Sequence, residues 1–186
     1  MTSPFLVVGL GNPGPQYATT RHNIGYMAID ELLTRASPMP AKLSAHKKTN
    51  MMAAETRIGT TKAILATPRS FMNLSGGPVR SIANFFNVPA SQVIVLFDDL
   101  ELGFSEVKAK RGGGDHGHNG LRSITQSLGT KDYIRVGIGI GRPPGRMEPK
   151  AFVLKPFSKK ELVEIPIACA DAADEVERII TNDGLS

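Results

Sequence analysis

Apolar residues recur along this chain in two rhythms. Phe5-Leu6-Val7-Val8 and Val93-Ile94-Val95-Leu96-Phe97 are unbroken apolar runs, as expected of strands covered on both faces. They predict strands over Pro4–Leu10 and Gln92–Phe97. Met51–Ile58 and Lys62–Thr67 predict two more, joined by a turn at Gly59. Glu106–Arg111 alternates polar with apolar, and Tyr133–Gly141 reads as a further strand. Between them the period lengthens. Ile24–Ala36 places Ile24, Met27, Ala28 and Leu32 on one helical face. Further helices are predicted from Ser75, as its cap, to about Phe86, and over Asn119–Leu128 with Gly129 as terminator. The last runs over Ser158–Ile180 with a break at Pro166. Ser37–Lys48 and Arg142–Lys150 read as loops. Strands alternating with helices predict an α/β fold: a single domain over 1–186 with a central, mostly parallel mixed sheet flanked by helices on both faces.

Composition narrows the class. A chain of 186 residues, 41% hydrophobic and 21% charged, suits one well-cored soluble domain. No apolar stretch approaches the ~20 residues that span a bilayer. The start, Met-Thr-Ser-Pro-Phe, lacks the basic and apolar regions of a secretory leader, and the single Cys169 fits a reducing compartment. These features predict a cytoplasmic protein. Charge is uneven. Residues 105–160 carry 12 Lys/Arg against 4 Asp/Glu, and the remainder 10 against 13. A basic segment suggests a polyanionic partner such as nucleic acid, or simply a solubilising surface.

Gly9, Gly11 and Gly14 form G-x-G-x-x-G directly behind the first strand. A dinucleotide site needs a helix starting within that motif and an acid about 20 residues on, at the end of a second strand. Here Pro13 and Pro15 bracket Gly14, and the region "LLTRASPMP" supplies neither strand nor acid. The loop reads better as a rigid turn presenting Asn12.

Ligands of open α/β sheets bind beyond the carboxyl ends of the strands. Asn12 and His22 follow the first strand, Phe71-Met72-Asn73 follow Lys62–Thr67, Asp98 ends the QVIVLF run, and "GGGDHGHN" (112–119) follows the basic strand. If these strands are parallel, all the clusters share one edge. Singly, each has an ordinary reading: His22 a surface histidine, Asp98 a cap, Asn12, Asn73 and Asn119 turn or cap residues, Phe71 and Met72 core. Asn119 is well suited to cap the helix it precedes. Jointly, they bring a histidine and a carboxylate to one cleft. Metal is the competing chemistry, from Asp115, His116 and His118 with Asp98-Asp99, but D-H-G-H is a weak zinc spacing, and C-x-x-C and H-E-x-x-H are absent. No G-x-S-x-G elbow supports a serine nucleophile.

"VGLGNPGPQYATTRHNIG" (8–25), "FMNLSGG" (71–77), "GGGDHGHNGLRSI" (112–124) and "RVGIGIGRP" (135–143), in this order, resemble bacterial peptidyl-tRNA hydrolases over about residues 4–185. The resemblance implies hydrolysis of the ester between a peptide and the 3′ ribose of tRNA released prematurely from the ribosome. It also implies a monomer without metal or organic cofactor. His22 matches the family's general base and Asp98 the carboxylate that orients it. Asn12, Asn73 and Asn119 match asparagines that hold the peptide and the 3′ end, and Tyr17, Phe71, Met72 and His118 match other cleft residues. Lys108 and Arg135 match basic positions associated with tRNA phosphates of the acceptor stem. The rival from another class is a non-catalytic RNA-binding module of the same fold. Three departures stand out: Phe97-Asp98-Asp99-Leu100-Glu101 stands where many members have His-Asp-Glu-Leu-Asp, with the first Asp kept; His116 occupies a position where glycine is common; and the end at Ser186 implies a shortened C-terminal helix acting as a lid.

Overall fold

The structure, a computed structural model, describes residues 4–185. Its strands are β1 (Phe5–Gly9), β2 (Ser44–His46), β3 (Met51–Ile58), β4 (Thr61–Pro68), β5 (Val93–Asp99), β6 (Val107–Arg111) and β7 (Ile134–Gly139). Its helices are α1 (Ile24–Thr34), α2 (Gly76–Phe85), α3 (Asn119–Leu128), α4 (Pro149–Val153) and α5 (Lys159–Thr181). The strands form one sheet in the order β2-β3-β4-β1-β5-β7-β6. The centre, β4, β1, β5 and β7, is parallel. β2 and β3 at one side and β6 at the other run antiparallel to their neighbours.

The unbroken apolar runs follow from burial on both faces. Phe5 and Val7 of β1, with Ile94 and Leu96 of β5, enter one core together with α1 and α5. Leu6 and Val8, with Val93, Val95 and Phe97, enter the other with α2 and α3. A strand with solvent on one face would alternate; β1 and β5 have none. Because β4 and β5 flank β1, the connections leave it to opposite sides, and a crevice opens beyond the carboxyl ends of β1 and β5.

The glycine motif serves this packing. A Cβ on Gly9 would meet the Gly25 carbonyl, and one on Gly25 the backbone of Leu10, so α1 lies directly against β1. Gly14 takes φ 113°, a conformation that favours glycine. After it comes one turn of 3₁₀ helix, Pro15–Tyr17, and α1 begins at Ile24. The helix N-terminus that a dinucleotide turn requires therefore lies outside the motif.

Several expectations are corrected. Ser75 stands at the cap position of α2, yet its hydroxyl donates to Met72 O at 2.7 Å and caps nothing. The Gly76 N–H goes instead to Ser123 Oγ of α3. Asn119 is the first residue of α3, and the cap is His118. Helix α5 runs through Pro166 without a break, because Ile165, Ala168, Cys169 and Ala172 bury one face while Pro166 stays outside. It packs on α1, β6 and β7 and is no lid. Of the two stretches read as loops, Ser37–Lys48 contains β2, and Arg142–Lys150 runs into the first two residues of α4, which proves important at the site.

Candidate active site

The loop between β1 and α1 is closed by two asparagines. Asn12 N–H donates to Asn23 Oδ1 at 2.8 Å, and Asn23 Nδ2 returns a bond to Asn12 O at 2.9 Å. Both residues are buried. Asn12 Oδ1 accepts the Met72 N–H at 2.8 Å, which fixes the amide orientation and leaves Nδ2 as its spare donor. This clamp sets Arg21 and His22 immediately ahead of α1.

Arg21 is buried, with Nη1 donating to the carbonyls of Phe152, Lys155 and Pro156 and Nη2 reaching Glu161 at 2.7 Å. Its guanidinium lies over the Phe152 ring, 4.2 Å from the centroid. Glu161 also closes a capping box with Ser158 at the start of α5. One arginine thus fastens the α4–α5 segment to the His22 loop. Neither Arg21 nor Asn23 was singled out by the sequence reading. The run Arg21-His22-Asn23 holds them, but their partners lie far along the chain.

His22 Nδ1 lies 2.7 Å from Asp98 Oδ2, and His118 Nε2 lies 2.7 Å from Asp98 Oδ1. Asp98 is buried at the end of β5, and both its oxygens are occupied. Burial pushes its carboxyl up, but the attraction and hydrogen bonds of His118 and His22 outweigh this and hold it below the usual carboxylate range. With Nδ1 donating to Asp98, His22 keeps Nε2 as its basic nitrogen, on a ring 13% exposed. His118 is fixed too: Nδ1 accepts the Gly120 and Leu121 N–H groups at 3.1 and 3.3 Å, so the proton sits on Nε2.

His22, Asp98 and His118 lie near enough together to frame a cation. The His118 cap argues against that use, because a protonated Nε2 has no lone pair to give. Nor do the sequence-level candidates assemble: Asp115 turns to Gly117 N–H and Arg122, and His116 to Asp99 and Glu101.

His22 stands where two cavities meet. One, of about 290 Å³, is lined by Asn12, His22, Met72, Asn73 and Asn119, with Lys150, Val153 and Leu154 of the α4 segment as its roof. The other, of about 220 Å³, runs past Asp98 and His118 to Asp99 and His116. Met72 is buried in the core and also lines the first cavity. Phe71 is not core: it is 52% exposed and meets the Tyr17 ring edge-on at 6.3 Å on the rim. Sequence reading missed the α4 roof, whose clearest signal was Pro149 as a first helical residue.

The Gly-rich loop reaches the site by an unexpected route. Because β6 is antiparallel, Gly112 leaves from the opposite end of the sheet, where its N–H bonds Tyr133 O. The loop then climbs back past Arg135 and Phe97 to deliver His118 to Asp98. Arg135 is correspondingly not a surface cation. It is 4% exposed, stacks 4.4 Å over Tyr133 and bonds Gly114 O and Lys131 O, so it props the loop. Lys108 is exposed and, with Lys110 and Arg135, lines a separate hollow of about 220 Å³.

Fold and site together define a hydrolase of α/β architecture, its histidine–carboxylate pair seated at the carboxyl edge of a mixed sheet. The peptidyl-tRNA hydrolase family model matches residues 6–186. Peptidyl-tRNA hydrolase of Corynebacterium diphtheriae is 69% identical over 98% of this chain and 100% of its own length. Peptidyl-tRNA hydrolase 1 of Corynebacterium jeikeium is 61% identical over 95% of this chain and 91% of its own. The crystal structure of peptidyl-tRNA hydrolase from Acinetobacter baumannii superposes with a TM-score of 0.89 at 29% identity, covering 98% of this chain and 91% of that one. The chain belongs to the peptidyl-tRNA hydrolase family.

Proposed function

We propose that this enzyme hydrolyses the ester joining a peptide, or an N-blocked aminoacyl group, to the 3′ ribose of tRNA, with His22 as general base. The observation that carries the reading is the 2.7 Å bond from His22 Nδ1 to Asp98, which leaves Nε2 free beside an asparagine-lined cavity. Nε2 takes a proton from water as the water oxygen attacks the ester carbonyl. Amide N–H groups, the spare Asn12 Nδ2 among them, are suited to receive the developing oxyanion and the peptide backbone. Collapse breaks the bond to the 3′ oxygen, and the His22 imidazolium returns the proton to it. Asp98 holds the tautomer and stabilises the imidazolium, the logic of the serine-protease triad without the serine.

Asn73 and Asn119 support grip on the peptide and 3′ end, and the Tyr17–Phe71 rim offers apolar contact to peptide side chains. Lys108, with Lys110, is positioned for acceptor-stem phosphates, which give affinity without base readout. No helix among the described residues is long and apolar enough to cross a membrane. The reading is of a cytoplasmic, single-domain monomer working on free peptidyl-tRNA.

The test is release of an N-blocked aminoacyl group from tRNA by wild type and His22→Ala, each with and without EDTA, alongside tRNA binding. Wild type is expected to turn over with or without chelator, and His22→Ala to bind normally with turnover lower by about 10²–10⁴. Full activity of the variant overturns the base. Binding without turnover by wild type indicates an RNA-binding module, and loss with EDTA a metal-dependent reaction.

A further inference from the structure

His116 occupies a demanding position. Its φ is 52°, in the left-handed region that β-carbon-bearing residues enter at a cost and where glycine sits freely. Its Nδ1 lies 3.5 Å from Asp99 Oδ2 and 3.7 Å from Glu101 Oε2, and the ring is 30% exposed. Asp99 comes from the end of β5, where its Oδ1 is taken by the Glu101 N–H at 2.9 Å. Among the described residues no lysine or arginine pairs with either carboxylate; His116 is the group set against both.

His116 and Asp99 also form the wall shared by two cavities. They line the one that contains His22 and the hollow that contains Lys108 and Lys110, and Glu101 lines the second. An RNA whose ester lies at His22 and whose phosphates lie against Lys108 must cross that wall. There it meets two carboxylates of its own sign. Left bare, they repel it at close range, and partial burial weakens the screening by salt.

We propose that His116 is a positioning residue for the polyanionic substrate: it screens Asp99 and Glu101 from the phosphodiester chain passing between the two cavities. The inference rests on the reading of the hollow that holds Lys108 and Lys110 as the seat of tRNA phosphates, whichever of the two makes the closer contact. A backbone conformation that would be relaxed by glycine is thereby kept for a side chain with an electrostatic task. The imidazole N–H turned to the acids makes them poorer repellents, and the edge of the ring facing the cavity is left for the RNA.

The experiment compares wild type, His116→Gly, Glu101→Gln, the double variant and Lys108→Ala. Each is assayed on N-blocked aminoacyl-tRNA and on the same ester carried by adenosine alone, with melting temperature measured in parallel. His116→Gly is expected to raise KM for the tRNA substrate about two- to fivefold, the size of one like-charge contact. The rise is larger at low salt, kcat stays near wild type, and the adenosine ester is little affected. Its Tm should hold or rise, since glycine relaxes the left-handed residue. Adding Glu101→Gln should bring KM back towards wild type, which no structural role of His116 explains. An unchanged KM in His116→Gly, no rescue by Glu101→Gln, or equal losses on both substrates with a lower Tm each overturns the proposal. Lys108→Ala separates the two readings. If it leaves KM unchanged while His116→Gly raises it with rescue, the Lys108 contact falls and the screening role stands.

Discussion

His118 Nε2 donates to Asp98 Oδ1 across 2.7 Å, while Nδ1 of the same ring accepts the first free N–H groups of α3. The two roles enforce each other. A ring nitrogen that caps a helix carries no proton, so the other must, and that proton is directed at the carboxylate holding His22. His118→Ala is expected to lose the cap, about 0.5–2 kcal/mol, and one partner of a buried charge. His118→Asn can supply the cap from its amide oxygen but is too short to reach Asp98 as well. Tm should therefore recover in His118→Asn while turnover stays low. Full turnover in His118→Asn would confine the residue to helix capping.

Asp98→Asn offers an NH₂ where His22 needs an acceptor and favours the wrong tautomer. Turnover is expected to fall by roughly two to four orders of magnitude with tRNA affinity nearly unchanged. If both residues serve the one proton transfer proposed, the double variant with His22→Ala should be little worse than His22→Ala alone. Multiplying losses would mean independent roles.

The same carboxylate predicts an acid dependence of stability. Asp98 titrates below its ordinary value in the folded protein, so the unfolded chain binds the proton first as pH falls. Its contribution is complete above the unfolded value, about pH 4, and is lost as pH drops through the lower, folded value. Tm of wild type should decline below about pH 4 more steeply than Tm of Asp98→Asn. Parallel curves in a pH titration of Tm would contradict this.

Arg135 and Lys108 should separate cleanly. Lys108→Ala is expected to weaken tRNA binding and flatten its salt dependence by about one phosphate contact, with the Tm unmoved. Arg135→Ala removes the prop under Gly114, so it should lower Tm and impair hydrolysis of tRNA and minimal esters alike. A purely tRNA-specific loss in Arg135→Ala would return that residue to the phosphate contacts.

Gly25→Ala tests the contact between α1 and β1. The added methyl meets the backbone at Leu10 and Leu96, which cannot yield as a flexible side chain does. Overpacking of this kind costs about 1–3 kcal/mol, and because α1 follows His22 directly, activity should fall with stability. A variant with wild-type Tm would show that α1 can shift without consequence.

Most of the central sheet was legible because β1 and β5 are apolar on both faces, and the edge that gathers Asn12, His22, Met72 and Asp98 followed from parallel strands. What escaped depends on distant partners. Helix α4 is five residues long and is held by Arg21, whose side chain comes from the other end of the chain. Pro166 sacrifices a single backbone bond on an exposed face, and the burial of Ile165 and Ala168 outweighs it, so the local rule for proline misleads. The resemblance set Arg135 among the phosphate contacts, and its burial beneath the Gly-rich loop, where it bonds Gly114 O, could not be read from the sequence. The cap fell one residue early because asparagine is the commoner cap, and nothing local announces that His118 has Asp98 to hold it.

Arg21 has a mechanical consequence for His22 beside it. The α4–α5 segment that roofs the asparagine-lined cavity is tied through this guanidinium by three carbonyls and the Glu161 carboxylate. A single peptide bond separates that fastening from His22. Roof and His22 therefore share one anchor. Arg21→Ala is therefore expected to loosen the Phe152–Pro156 segment and the setting of the His22 imidazole against Asp98 together.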